Sequence, residues 1–278
     1  MQAFIEFCGK DASFWAFIKF VSENLGYTVF RKNLVKSYCI EDIYNLCKKY
    51  GMPQNHQLIK DAVLYSELRA DLLNNIAEKN FMDSETARLE FNRLFPTYKA
   101  RHLKCALPLN KQSGEMRQVA YFTAIINILT ELTIRDITGN SSEKGFEDDP
   151  RGLAYIWDQN KNLLAVSSRR FDGAFPSIKS PTLVWEIKEY YYTTSFGSRI
   201  ADGIYETQLD GFEFKELYER SGQKVFHVLF IDAYNTWWNM GKSYLCRIID
   251  ALNFGLVDEV IIGKEVFSRW PELLHELL

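Results

Sequence analysis

The sequence lacks the features of a secreted or membrane protein. Its five cysteines are scattered, odd in number and without a Cys-x-x-Cys pair. This excludes a disulfide framework and favours a reducing, cytoplasmic environment. Residues 1–15 already contain charged side chains, so we expect no apolar signal core. No apolar run reaches the roughly 18 residues of a membrane span.

Several other functional signatures are also missing. A net charge of −3 argues against a purely electrostatic nucleic-acid binder, although a metal-dependent nuclease needs only local basic residues. The sequence has no G-x-x-x-x-G-K-[ST] phosphate loop and no G-x-S-x-G elbow. Its four histidines show no zinc-ligand spacing with the cysteines. What remains is a chain that is 47% hydrophobic, enough to bury a substantial core.

Residues 1–97 are expected to form a mostly helical N-terminal domain. Apolar residues recur at helical spacing over residues 11–26 and 41–51, and each segment ends at a glycine. Helical patterning continues over residues 57–80 and 84–95. This region could read DNA through a short helix, but plain helical packing is the favoured interpretation.

Residues 98–278 are expected to form a second, α/β domain. A buried helix at 119–139 precedes three successive strands, a helix interrupted by two glycines, a strand, a helix and a last short strand. The segments after the first helix are 153–158, 162–176, 181–191, 201–222, 224–234, 242–256 and 258–263. This order predicts a mixed central sheet flanked by helices.

Three residues in this domain carry a specific chemical signal. Asp172 ends one predicted strand, and Glu186 and Lys188 stand two apart on the next. Residues at i and i+2 of a strand point to the same face, so the glutamate and lysine should be neighbours. Charges on an apolar internal strand need compensation. A divalent cation between the two acids would supply it, and carboxylate oxygens are the ligands that Mg²⁺ prefers.

These positions resemble the motif of the PD-(D/E)xK nuclease superfamily, which includes most type II restriction endonucleases. The resemblance covers roughly the C-terminal half, with Asp172 as the first acid, Glu186 as the second and Lys188 as the lysine. Phe171 stands where the family often has proline. The resemblance implies a restriction-endonuclease-like sheet and magnesium-dependent hydrolysis of double-stranded DNA. It also makes Glu131, on the preceding helix, a candidate metal ligand.

Further residues are candidates for contacts with DNA. Alternation along the strand places Arg170 on the face of Asp172, where it would contact phosphate or neutralise the acid, although an ordinary edge charge is equally favoured. The basic residues of segment 97–118 form either a solvated linker or a phosphate-contacting strip. Within that strip, the candidates are Lys99, Arg101 and Lys104. At the start of the following helix, Arg199 and Gln208 are candidates for DNA contacts. The resemblance implies that this helix passes beside the active site, where Glu206 or Gln208 would position water or backbone. A solvated helix face is the competing interpretation for each.

The sequence therefore favours a magnesium-dependent DNA endonuclease of restriction or anti-phage defence. Cutting both strands would require two sites, so a homodimer is expected. An adjacent DNA methyltransferase gene would point to restriction. The alternatives are a DNA-binding subunit that keeps the fold without catalysis, and a nuclease acting on RNA or repair intermediates.

Overall fold

The computed structural model describes residues 1–29, 31–112, 115–139, 143–194 and 196–278, without the side chain of Arg199. The α-helices are α1 (Ala12–Leu25), α2 (Ile40–Lys49), α3 (His56–Asp71), α4 (Glu78–Asn80), α5 (Ser84–Ala100), α6 (Tyr121–Thr138), α7 (Ser198–Ser221), α8 (Lys242–Asn253) and α9 (Arg269–Leu277). The strands are β1 (Thr28–Val29), β2 (Leu34–Val35), β3 (Tyr155–Trp157), β4 (Leu163–Val166), β5 (Gly173–Phe175), β6 (Leu183–Glu189), β7 (Phe226–Asp232) and β8 (Glu259–Ile262). The predicted mixed α/β class is confirmed.

The central sheet has the strand order β5-β6-β7-β8. β5 is antiparallel to β6, whereas β6, β7 and β8 are parallel to one another. β6 and β7 are long and almost entirely buried, as expected for parallel strands covered by helices on both faces.

Each face of the sheet packs into its own apolar core. On one face, α6 and α9 cover Trp185 and Phe230, with the Trp270 ring of α9 set edge-on against Trp185 at 5.5 Å. On the other face, α7 and α8 cover Leu229 and Ile231. Side chains alternate along a strand, so β6 sends Trp185 toward α6 and its neighbours Glu186 and Lys188 toward α7.

The N-terminal helices α1, α2 and α3 surround a separate core of aromatic and aliphatic residues that includes the fully buried Tyr65. This confirms mostly helical structure there, with the short β1–β2 hairpin added. The region is fastened to α8 by Asp250, which accepts hydrogen bonds from the Tyr65 hydroxyl at 2.6 Å and the Arg69 guanidinium at 2.9 Å. Arg69 is fully buried, so its contact with Asp250 lies in the interior between α3 and α8.

Helix α5 packs on α6, where Phe91 lies 5.7 Å from Tyr121 between ring centroids. It therefore shares the core beneath the sheet, whereas the sequence assigned residues up to 97 to the N-terminal domain. α5 also runs past its predicted end at residue 95, through Pro96, to Ala100. No helix in the described ranges is long and apolar enough to cross a membrane.

The predicted strand over residues 162–176 was wrong. It forms two strands, and β4 pairs with β3 in a separate two-stranded sheet. Ser167 lies between β4 and β5. Its hydroxyl accepts a hydrogen bond from the Ala154 amide at 2.8 Å and donates one to the Arg169 carbonyl at 2.8 Å. The Ser167 amide still donates to the Ala154 carbonyl at 2.9 Å, and the bond from its hydroxyl to the Arg169 carbonyl then turns the chain toward β5.

Helix α7 was also predicted to be interrupted at Gly203 and Gly211, but it is continuous. Both glycines serve close packing instead. A Cβ at Gly211 would lie 2.2 Å from the Leu256 carbonyl oxygen, and one at Gly203 would lie 3.3 Å from Cε of Lys188. Glycine therefore brings the α7 backbone against its neighbours without ending the helix.

Candidate functional site

Pairing between β5 and β6 places Asp172 beside Glu186. Gly173 is opposite Trp185 in the antiparallel register, so the next pair along the ladder is Asp172 and Glu186. The Asp172 amide donates to the Trp185 carbonyl at 3.1 Å. Its carboxylate Oδ2 accepts from the Ile187 amide at 2.7 Å. The aspartate is therefore fixed directly before the start of β5, rather than at the end of a strand as expected, and it is exposed to solvent.

Glu186 and Lys188 are buried on the same face of β6. They are 1% and 8% exposed, and the lysine Nζ lies 3.1 Å from Oε2 of the glutamate. The lysine stem also lies against the α7 backbone at Gly203, where a side chain would crowd it. The sheet and α7 thus hold both side chains in one place.

Arg169 and two acids from α7 complete the group. The Arg169 guanidinium lies 2.9 Å from Oε1 of Glu186, 2.7 Å from Oδ2 of Asp210 and 3.2 Å from Oε2 of Glu206. Glu206 is also 3.8 Å from Nζ of Lys188. We call these six residues the charged cluster: Arg169, Asp172, Glu186, Lys188, Glu206 and Asp210.

The charged cluster has four carboxylates and only two cations. Desolvation, together with the charge of Glu186, raises the pKa of Asp172 to about 7. Asp172 as a residue is exposed to solvent. Its pKa is raised because protein atoms crowd around the carboxylate, and the residue does not need to be fully buried for this. Burial also raises the pKa of Asp210 to about 7, although Arg169 opposes this. Burial alone would lower the pKa of Lys188, but Glu186 raises it, so the lysine stays charged.

Two buried oxygens of the charged cluster have no directed hydrogen bond from any residue in the described part of the chain. They are Oε1 of Glu186 and Oδ1 of Asp210. Arg169 is 2.9 Å from the first, but this contact is an ion pair without hydrogen-bond geometry. Unsatisfied carboxylate oxygens in a group with excess negative charge suit a hard divalent cation. Asp172, Glu186 and the half-exposed Glu206 are the residues that could hold one. No ready-made group of three metal-ligating residues occurs in the part of the chain described.

The proposed metal ligand Glu131 does not lie in the charged cluster, which corrects the sequence prediction. It belongs to α6, on the opposite face of the sheet, and is fully buried. Its carboxylate accepts from the Lys104 amide at 2.8 Å and the Cys105 amide at 2.6 Å, and it also pairs with Arg135. These contacts hold the segment after α5 against α6, so the Glu131 carboxylate has a structural role.

The basic strip is also distant from the charged cluster. Lys99 lies over the Phe95 ring at 4.5 Å, and Arg101 pairs with Asp136 at the end of α6. The Lys104 amide binds Glu131. The strip is therefore anchored on the α6 side of the sheet, opposite Glu186 and Lys188.

The remaining predicted DNA contacts have different positions. Arg170 is exposed and forms no ion pair with Asp172 within the described ranges, because the strand on which the alternation argument relied is broken. Gln208 lines a pocket on the side of α7 away from the charged cluster. The side chain of Arg199 lies outside the described residues.

Sequence reasoning missed Arg169 and Asp210. A signal for Asp210 was present, since it lies one helical turn after Glu206 and shares its face. Arg169 could not be preferred over Arg170 without the break between β4 and β5. Glu206, which was considered as a positioning residue, does lie in the charged cluster.

Comparison with known proteins gives family membership only. A family model described as Domain of unknown function (DUF7687) matches residues 82–277. A second, described as Domain of unknown function (DUF7690), matches residues 1–76. No curated protein and no solved structure matches the chain. The two models divide the chain before α5, in keeping with the packing of that helix against α6.

Proposed function

The chain belongs to the family described as Domain of unknown function (DUF7687), and we propose that it is a magnesium-dependent DNA endonuclease with a restriction-endonuclease-like fold. The observation that carries this proposal is the buried pair of Glu186 and Lys188 on an internal strand, with Asp172 across the ladder. A merely structural ion pair would not require a further carboxylate on the adjoining strand, close enough for Glu186 and Lys188 to shift its pKa. Two acids and a lysine that are close together suit phosphodiester hydrolysis, and the exposed Asp172 and Glu206 form the solvent side of the group.

The order of elements supports the same proposal. After α6 come the separate β3–β4 pair and then β5, β6, α7 and β7, with β5–β6 antiparallel and β6–β7 parallel. The residues that resemble the PD-(D/E)xK motif are Asp172, directly before β5, and Glu186 and Lys188 on β6, and this order is what the resemblance would lead us to expect.

The residues present fit a magnesium ion by charge and by ligand type. When bound, Mg²⁺ would lower the pKa of a coordinated water and stabilise negative charge on the phosphate. Asp172 and Glu186 would hold it. Lys188 would orient the attacking water or neutralise charge that develops on the phosphate oxygens. Arg169 keeps Glu186 and Asp210 in position and limits repulsion among the four acids.

The direct test is cleavage of supercoiled plasmid with magnesium and with EDTA. Asp172→Asn, Glu186→Gln and Lys188→Met should each lower the rate by at least about 100-fold, since positioned charges of this kind typically contribute that much. The chain offers a matched control in its second Glu-x-Lys triplet, Glu213-Phe214-Lys215 on α7. Lys215→Met should leave cleavage unchanged. Cleavage that survives the Asp172 and Lys188 changes would refute the assignment.

One observation favours a second candidate function. Arg169 already neutralises Glu186, so the charged cluster can persist as an ion network in a non-catalytic DNA-binding protein. That protein would bind DNA in a salt-dependent manner without any requirement for magnesium and without cutting. Parallel incubations with RNA of the same sequence would separate DNA from RNA substrates.

A double-strand cut needs two such sites. We therefore propose a homodimer on double-stranded DNA as the active form. Sedimentation of the chain with and without a DNA duplex would measure the oligomeric state, and a monomer that linearises plasmid in one step would contradict the dimer.

A further inference from the structure

A pocket of about 610 Å³ lies where the N-terminal helices meet the sheet domain. α1, α7 and α8 form its walls. Five aromatic rings line it: Trp15, Tyr27, Tyr205, Phe212 and Phe254. Its size is in the range of pockets that hold small organic ligands, and nothing in the proposed hydrolytic chemistry uses it.

Helix α7 connects this pocket with the charged cluster. Tyr205, Gln208 and Phe212 follow one another at helical spacing and face the pocket. Glu206 and Asp210 lie about half a helical turn away and face Glu186 and Arg169. One helix therefore carries both groups on different sides, so a DNA strand held at the charged cluster would pass around α7 to place a base in the pocket.

Two of the aromatic rings are unusually exposed. Tyr205 and Phe212 are each 50% accessible, and Gln208 stands between them on the helix. Aromatic faces left open beside a cavity are typical of binding surfaces rather than of folding cores. A glutamine amide offers both a donor and an acceptor, the combination that recognises the edge of a heterocyclic base.

The charged residues that line the pocket differ in whether they already have hydrogen-bond or ion-pair partners within the protein. Asp250 is engaged by Tyr65 and Arg69. Arg247 contacts the Tyr205 hydroxyl at 3.0 Å and lies 3.5 Å from Glu23, yet its buried Nε has no hydrogen-bond partner among the described residues. Lys19 is exposed at the rim. A phosphate attached to a planar ring would pair with Lys19 at the rim, and it would reach Arg247 only in competition with Glu23.

We propose that this pocket binds a single unstacked nucleobase, held between the aromatic rings of Tyr205 and Phe212 and read by Gln208. This deepens the proposed function, on which it rests for the source of the base: an extrahelical nucleotide of the DNA being cut. A free nucleotide has the same chemistry and is the other source to be distinguished. Stacking on aromatic rings tolerates any base, whereas the amide would confer preference among them.

The first arm of the test uses DNA. Fluorescence anisotropy in EDTA would compare a duplex carrying one unpaired base with the fully paired duplex of the same sequence. The chain should bind the first about tenfold more tightly or better, which is the scale of one base stacking on aromatic side chains. The double variant Tyr205→Ala, Phe212→Ala should lose this difference. The second arm measures binding of AMP, GMP, CMP and dTMP by calorimetry, with the same variant.

Matched controls separate stacking from folding. Tyr218 is 54% exposed on the same helix but outside the pocket, so Tyr218→Ala should bind like the wild type. Tyr205→Phe keeps the ring and loses only its contact with Arg247, so it should retain most of the binding. Because both pocket rings are half exposed, the double variant should fold, which circular dichroism would check.

Binding in the first arm that depends on the two rings would identify an extrahelical base, and binding in the second arm would identify a free nucleotide. Binding in neither arm, or binding insensitive to the double variant, would overturn the proposal. Failure of the nuclease proposal is distinguishable, because both arms are run without metal. A chain that binds bases but does not cleave keeps the pocket and loses the nuclease, and a chain that cleaves without base binding does the reverse.

Discussion

Replacing Lys188 with methionine should destabilise the protein much more than the same change at Lys215. Methionine has a similar length but no charge. Lys188 is 8% exposed, and its Nζ lies 3.1 Å from the nearly inaccessible carboxylate of Glu186. The variant leaves four carboxylates facing Arg169 alone, so one more negative charge of the charged cluster is uncompensated.

The size of this loss in stability depends on the partners that Glu186 keeps in the variant. Removing one partner of a buried ion pair costs about 3–5 kcal/mol, because the other charge stays buried. Arg169 still lies 2.9 Å from Glu186, which places the expected loss near the lower limit, about 3 kcal/mol. Lys215 is partly exposed, and its ammonium lies 4.3 Å from the centroid of the Phe254 ring. Loss of that cation–π contact should cost about 0.5–1 kcal/mol.

The assay is urea unfolding of the wild type and the two variants, in EDTA and in magnesium. A cation bound at 100 times its Kd adds about 2.7 kcal/mol to the free energy of unfolding. Magnesium should therefore stabilise the wild type and recover part of the loss in Lys188→Met. Equal losses in the two variants would refute the claim that Lys188 neutralises a buried carboxylate, and stability independent of magnesium in all three would refute the cation site.

Three further predictions concern other positions. Glu131→Gln should lower the free energy of unfolding by about 3 kcal/mol, because it removes the partner of Arg135, yet leave the magnesium dependence of urea unfolding unchanged; a changed magnesium dependence would return this residue to the metal site. Gly203→Leu should lower plasmid cleavage about tenfold or more by displacing Lys188, with circular dichroism preserved; undiminished cleavage would contradict this. Burial raises the pKa of Asp232 to about 8 from the ordinary 3.8, so the folded state holds a proton that the unfolded chain releases, and stability should fall as pH rises from about 4 to 8. Asp232→Asn should flatten that decline in urea unfolding at stepped pH, and an unchanged slope would contradict it.

The positions of Glu186 and Lys188 on one face of β6 were predictable from sequence, because they depend only on a local pattern. Glu186 and Lys188 are two residues apart in an apolar segment, and the period of a strand puts them on one face whatever the rest of the chain does. The helices α1, α2 and α6 were predictable for the same reason, since helical spacing of apolar residues and terminal glycines are features of a few consecutive residues. The alternation of strands and helices then predicted a mixed sheet.

The partners of that strand were decided by tertiary structure alone. Glu131 looked suitable because a helix preceding the strands was expected to face them, but which face α6 covers depends on how the whole core packs. Arg169 rather than Arg170 reaches the acids because Ser167 turns the chain between β4 and β5. Asp210 and the aromatic pocket depend on the position of α7, which Gly203 and Gly211 bring close to Lys188 and Leu256. Periodicity fixes the direction of a side chain relative to its own strand or helix, whereas contacts between distant segments depend on long-range packing, which no local pattern records.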